Sequence, residues 1–159
     1  MIRRDTPGLR WVSIVLAFLF MLVPLPGHWS GLRPFLLALV IVFWVLEVPE
    51  KMSLGRIFLI GLALDLAGFN LLGEHALRLL LIAGIVLQMR SQFRFYPVWQ
   101  QSLVLLAVLY LDLLLYWILH RLQGDTIASG SWLSPLLAFL IWPWLYMWLD
   151  NLRLQNRSK

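Results

Sequence analysis

With 61% of its 159 residues hydrophobic and only 13% charged, this chain cannot cover a water-facing surface, for which soluble domains use about 25% charged residues. Its surface must meet lipid instead, which excludes a soluble fold of this size. The net charge of +5 does not mark a nucleic-acid binder, because the basic residues stand singly or in pairs between apolar runs, and the absence of cysteine excludes disulfides and thiolate metal sites.

Six apolar runs fill the chain and predict an all-α, six-helix polytopic membrane protein, a single transmembrane domain over 1–159. The first helix is predicted over about 11–25, after Arg3, Arg4 and Arg10 and before Pro24 and Pro26. A basic start and an apolar run also describe a signal peptide. No small-x-small cleavage site follows and more membrane does, so the segment is read as retained. The second helix spans 34–48, opened by Pro34 and closed by Pro49. It is short for a span, so it either thins the bilayer or lies among its neighbours. The third, 54–72, holds Gly55, Gly61 and Gly68. The fourth, 75–89, is short again unless Arg78 snorkels from one end. The fifth, 98–119, is the longest, and the sixth, 132–149, carries Pro135 in its first turn and Pro143 inside, where a kink is expected. No soluble linker or internal repeat interrupts them.

Loop charges set the expected orientation. With both termini cytoplasmic, that side collects Arg3, Arg4, Arg10, Lys51, Arg56, Arg90, Arg94, Arg153, Arg157 and Lys159, while Arg33, Arg78 and Arg121 fall on the other. Ten against three obeys the positive-inside rule. Trp11, Trp99 and Trp148 then mark the inner interface, and Trp29, Trp117 and Trp132 the outer one.

Buried charge is the first place to seek function, since an acid at mid-membrane costs at least ~2.5 kcal/mol. Asp65 lies inside the third run, Asp112 inside the fifth, and Glu47 near the inner end of the second. Helical spacing puts Phe58, Gly61, Asp65, Gly68 and Leu72 on one face, where the glycines let another helix approach. Asp112, Tyr116 and His120 form a polar stripe toward the outer side. A proton or cation path, or a polar ligand pocket, is one reading. Packing is preferred, because no basic residue stands at matching depth, and uncharged, hydrogen-bonded carboxyls are then the default expectation.

His28, His75 and His120 all fall at or near outer loops, but their spacing matches no zinc motif and they are read as loop residues. No catalytic motif or nucleophile–base pair is present, so no catalytic residue, metal or cofactor is expected. Ser13 and Ala17 form a small-xxx-small pair that could dock a helix of this chain or of a partner. Trp142, Pro143 and Trp144 form either an aromatic docking surface or part of a lipid-facing belt.

Several of these features together resemble the rod shape-determining MreD family of Gram-negative bacteria. They are Arg33-Pro34 before a short helix ending at Pro49, and the stretch 61–68 with Gly61, Asp65 and Gly68, followed by Leu72, Gly73, Ala76 and Leu77. Trp99, Gln100 and Gln101 open the fifth helix, and Trp142, Pro143 and Trp144 stand in the last. The resemblance covers nearly the whole chain. It implies an inner-membrane component of the cell-elongation machinery that binds MreC, a single-span protein, and acts with the MreB cytoskeleton, RodA and a class B penicillin-binding protein in peptidoglycan synthesis. It also implies a fold similar to the substrate-binding subunits of energy-coupling-factor transporters. No catalytic residues carry over. A non-enzymatic scaffold is therefore the favoured reading, and a small-molecule-binding transporter subunit with a pocket near Asp65, Asp112, Tyr116 and His120 is the alternative.

Overall fold

The computed structural model describes residues 7–23, 32–68, 72–93, 95–123 and 131–155. Among these the regular elements are α1 (Pro7–Leu22), α2 (Leu36–Glu47), α3 (Leu54–Gly68), α4 (Glu74–Phe93), α5 (Val98–Gln123) and α6 (Ser134–Gln155), with 3-10 turns at Pro49–Lys51 and Ser131–Leu133. The six expected helices are present, and the differences lie at their ends. Pro7 opens α1 four positions before the predicted start, where its missing N–H costs nothing. Pro24 and Pro26, expected to close it, lie outside the described residues, as do positions 69–71 of the predicted third helix. α4 runs on to Phe93, α5 to Gln123 and α6 to Gln155. Hydropathy marks where hydrocarbon ends, not where the backbone ladder ends, so the polar last turns escaped it.

Successive helices alternate in direction. At one end Ser134 Oγ donates to the Arg33 carbonyl at 2.7 Å, joining the start of α6 to the entry of α2. At the other, Arg90 Nε donates to the Leu46 carbonyl at 3.0 Å, joining the last turns of α4 and α2. These are called the Arg33 end and the Arg153 end below.

Helix α2 is the axle of the bundle. Every residue from Leu37 to Glu47 is buried, as expected of a helix apolar on all sides. α1, α4 and α6 pack directly against it, while α3 leans on α4, and α5 bridges α4 and α6. Its 12 residues span only about 18 Å, well short of the ~30 Å hydrocarbon core. Enclosure resolves the two readings of this short segment: α2 lies among its neighbours and has no lipid thickness to match. α4, α5 and α6 have the length and hydropathy to cross a membrane on their own.

The shell is inside out relative to a soluble protein. Val12, Val15, Leu16, Leu19 and Phe20 of α1, Leu111 and Leu114 of α5, and Leu140 and Trp144 of α6 face outward. Arg10, Glu47, Asp65, Asp112 and Arg153 are buried. Apolar outside and charged inside is the distribution a bilayer demands.

On α1 the buried positions are Arg10, Ser13, Ile14 and Ala17. Ser13 Oγ accepts the indole N–H of Trp44 at 2.8 Å and donates to the Arg10 carbonyl at 2.9 Å. Ser13 thus ties this face of α1 to α2, the internal contact that is one of the two options for the Ser13–Ala17 pair. Between α1 and α6 opens an apolar groove of about 320 Å³, with Ser13 and Ala17 of α1 and Leu36 and Val40 of α2 among its lining.

Candidate functional site

The centre of the polar interior is Arg78, held from several directions. Its Nε donates to Asp112 Oδ1 at 2.9 Å and one terminal nitrogen to Oδ2 at 2.8 Å, the two-pronged geometry that guanidinium and carboxylate share. Its other terminal nitrogen lies 3.6 Å from Glu74, one helical turn earlier on α4. The guanidinium carbon also sits 4.8 Å from the Phe35 ring centre and 4.9 Å from that of Tyr116. The expectation that no basic residue reaches the depth of Asp112 is therefore overturned. Arg78 does not snorkel outward; Asp112 on α5 draws it across the bundle. The stripe Asp112, Tyr116 and His120 is real, with the Tyr116 and His120 rings 4.1 Å apart, and its first two members serve Arg78.

Asp65 has a different task. It is 1% exposed and belongs to the last turns of α3, yet its carboxylate caps the start of α4. Oδ2 accepts the Gly73 N–H at 2.9 Å, and Oδ1 accepts that of His75 at 3.0 Å and lies 2.7 Å from His75 Nδ1. An acid at a helix N-terminus satisfies donors that have no intrahelical partner and meets the positive end of the dipole. Gly73 turns the chain with φ +96°, a conformation other residues adopt at a cost. The buried face of α3 is Ile57, Gly61, Leu64 and Asp65, whereas Phe58, Gly68 and Leu72 are exposed. The predicted face was right about Gly61 and Asp65 and wrong about Gly68, because α4 approaches α3 nearer its middle.

Replacing Asp65 by alanine removes every acceptor of this cap and should lower stability by about 2 kcal/mol. Asp65→Asn keeps one acceptor oxygen and should lose about half as much. Thermal unfolding of the three proteins in dodecyl maltoside checks the order. An alanine variant as stable as the parent contradicts the capping role.

At the Arg153 end, Glu47 pairs with Arg153 of α6 in a buried ion pair, and Tyr146 O–H donates to the same carboxylate at 3.4 Å. Arg153 also lies 3.7 Å from Asp150. This pair was missed, although the sequence placed Glu47 and Arg153 at the same end. Glu74 before Arg78, four positions apart, was the corresponding signal for the other cluster.

Trp142, Pro143 and Trp144 do not make one surface. Trp142 is fully enclosed, its ring 5.8 Å from that of Tyr146, while Trp144 is 76% exposed on the far side of α6. Residues two apart on a helix point about 200° apart, nearly opposite, so a docking patch cannot use both tryptophans. Pro143 sits within a helix that continues through it to Gln155. His75 is built into α4 against Asp65 and Phe35 rather than standing in a loop, and His28 lies outside the described residues. Among the described residues no three His, Cys, Asp or Glu side chains are grouped to hold a metal ion.

These residues join helices to one another: α3 to α4, α4 to α5, and α2 to α6. Comparison with known proteins identifies the family. Residues 2–152 match the family model described as rod shape-determining protein MreD. The rod shape-determining protein MreD of Haemophilus influenzae is 36% identical over 153 residues, covering 91% of this chain and 93% of that protein. No solved structure matches. The chain thus belongs to the MreD family of rod shape-determining proteins.

Proposed function

We propose that this rod-shape protein is a multi-pass scaffold of the bacterial inner membrane, with both termini cytoplasmic, that binds a single-span MreC-type protein. Through it the chain would help organise peptidoglycan synthesis by RodA and a class B penicillin-binding protein. The observation that carries the reading, beside family membership, is that Asp65, Asp112 and Glu47 are all engaged in tying helices together. What the chain offers outward is apolar helix faces, and partners meeting it in the bilayer would do so by close packing. The short, enclosed α2 supports the proposed likeness in fold to the substrate-binding subunits of energy-coupling-factor transporters. The engagement of Asp65 by the start of α4 and of Asp112 by Arg78 counts against the transporter alternative, whose pocket was placed near both.

Co-expression with the cognate MreC-type protein tests this. The two should co-purify in mild detergent, and a reporter fused after Lys159 should be active only in the cytoplasm. A chain that purifies strictly alone, or a periplasmic reporter signal, overturns the reading.

A further inference from the structure

At the Arg33 end a cavity of about 170 Å³ lies among α1, α4, α5 and α6. Arg33, Arg78 and Asp112 supply its charged lining, and Leu109, Leu113 and Ala138 are among its apolar walls. Asp112 cannot repel an incoming anion strongly, because both of its oxygens are already engaged by Arg78. Arg33 is not balanced in this way. Among the described residues no carboxylate pairs with it, and one terminal nitrogen donates to the carbonyls of Phe20 and Val23. Its Nε is shut off from solvent and has no hydrogen-bond partner. Among the charged lining residues the two arginines outnumber Asp112 by one, with Glu74 behind Arg78 at 3.6 Å, so the cation left without a carboxylate partner is Arg33.

A guanidinium without a carboxylate partner suits a group rich in acceptor oxygens, and its fork fits phosphate and carboxylate. Arg33 stands between the end of α1 and the start of α2, and the ends of bilayer-spanning helices lie near the phosphate-ester layer. The space is comparable with the about 150 Å³ cavity known to hold a benzene ring, so a headgroup-sized moiety fits. We propose that this cavity binds an anionic phosphate ester carried on an apolar stem, with Arg33 as its counter-charge and the leucine wall against the stem.

The test uses the full chain in dodecyl maltoside and follows its thermal midpoint against ligand concentration. Dihexanoyl phosphatidylglycerol should raise the midpoint progressively, as linkage requires, with dihexanoyl phosphatidylcholine binding at least ~10-fold more weakly. Glycerol 1-phosphate separates the sources: a rise equal to that from the phosphatidylglycerol assigns the site to free phosphate esters, and no rise assigns it to lipid. Arg33→Gln should abolish the preference for the anionic lipid. Because Arg33 also caps α1, Ala138→Leu provides a second variant, which fills the cavity without removing a polar group and should abolish the response to phosphatidylglycerol. Equal stabilisation by the two lipids, or a phosphatidylglycerol response that survives Ala138→Leu, overturns the proposal.

Discussion

Arg78→Leu should destabilise the bundle by about 3–5 kcal/mol, the range for removing one partner of a buried ion pair. The cause is less the lost attraction than what is left behind. Asp112 is 2% exposed and would keep a carboxylate with no cation, and Glu74 would lose its neighbour as well. Asp112→Leu should cost less, since Arg78 retains Glu74 and its seat between the Phe35 and Tyr116 rings. The double variant, with both charges replaced by leucine, should recover much of the loss, because apolar substitution of a whole buried pair is often neutral. Unfolding midpoints of the four proteins in dodecyl maltoside give the coupling directly. Additive losses in the double variant would mean that the two residues act independently, contrary to the geometry.

Gly61 should be nearly as intolerant, for a steric reason. A Cβ there would lie 2.4 Å from Ala76 Cα and 2.7 Å from Ala76 N, both backbone atoms of α4 that no rotamer change can move. Even Gly61→Ala forces α3 and α4 apart and should cost about 1–3 kcal/mol, with Gly61→Val beyond that range. The penalty should spread to the Asp65 cap, which depends on the same approach of the two helices. Gly84→Ala is the matched control. A Cβ there meets nothing within 4 Å, and alanine in a helix interior should be neutral or stabilising by up to about 1 kcal/mol. If both alanine variants unfold at the parental midpoint, the close α3–α4 contact is not a determinant of stability.

The helices and the membrane environment were legible in the sequence because both follow from local hydropathy. Asp65 and Gly61 were also legible, as an acid and a glycine one turn apart within an apolar run. What was not legible was pairing across helices. Nothing in a one-dimensional pattern shows that Arg78 turns inward to Asp112, 34 positions away, instead of outward to a headgroup. Periodicity placed Phe58 on the buried face of α3, where the structure has Ile57, because a face defined by spacing can be rotated by one residue until its neighbour is known. Trp142 and Trp144 looked alike as letters and differ completely in burial. Glu47 and Arg153 could have been matched, since the expected topology put both at one end, but buried partners 106 positions apart leave no local signature.

Because α2 is walled off by its own chain, it answers to a different selection from the helices around it. Positions such as Leu39, Phe43 and Val45 should behave as in a water-soluble interior, where shape and volume decide and a deleted methyl group leaves a void. Outward residues such as Val15 and Leu19 touch fluid acyl chains that refill any space, so one apolar side chain should serve as well as another. A saturation library scored for rod morphology would then show two grammars within one protein: size-sensitive along the axle and size-blind on the rim.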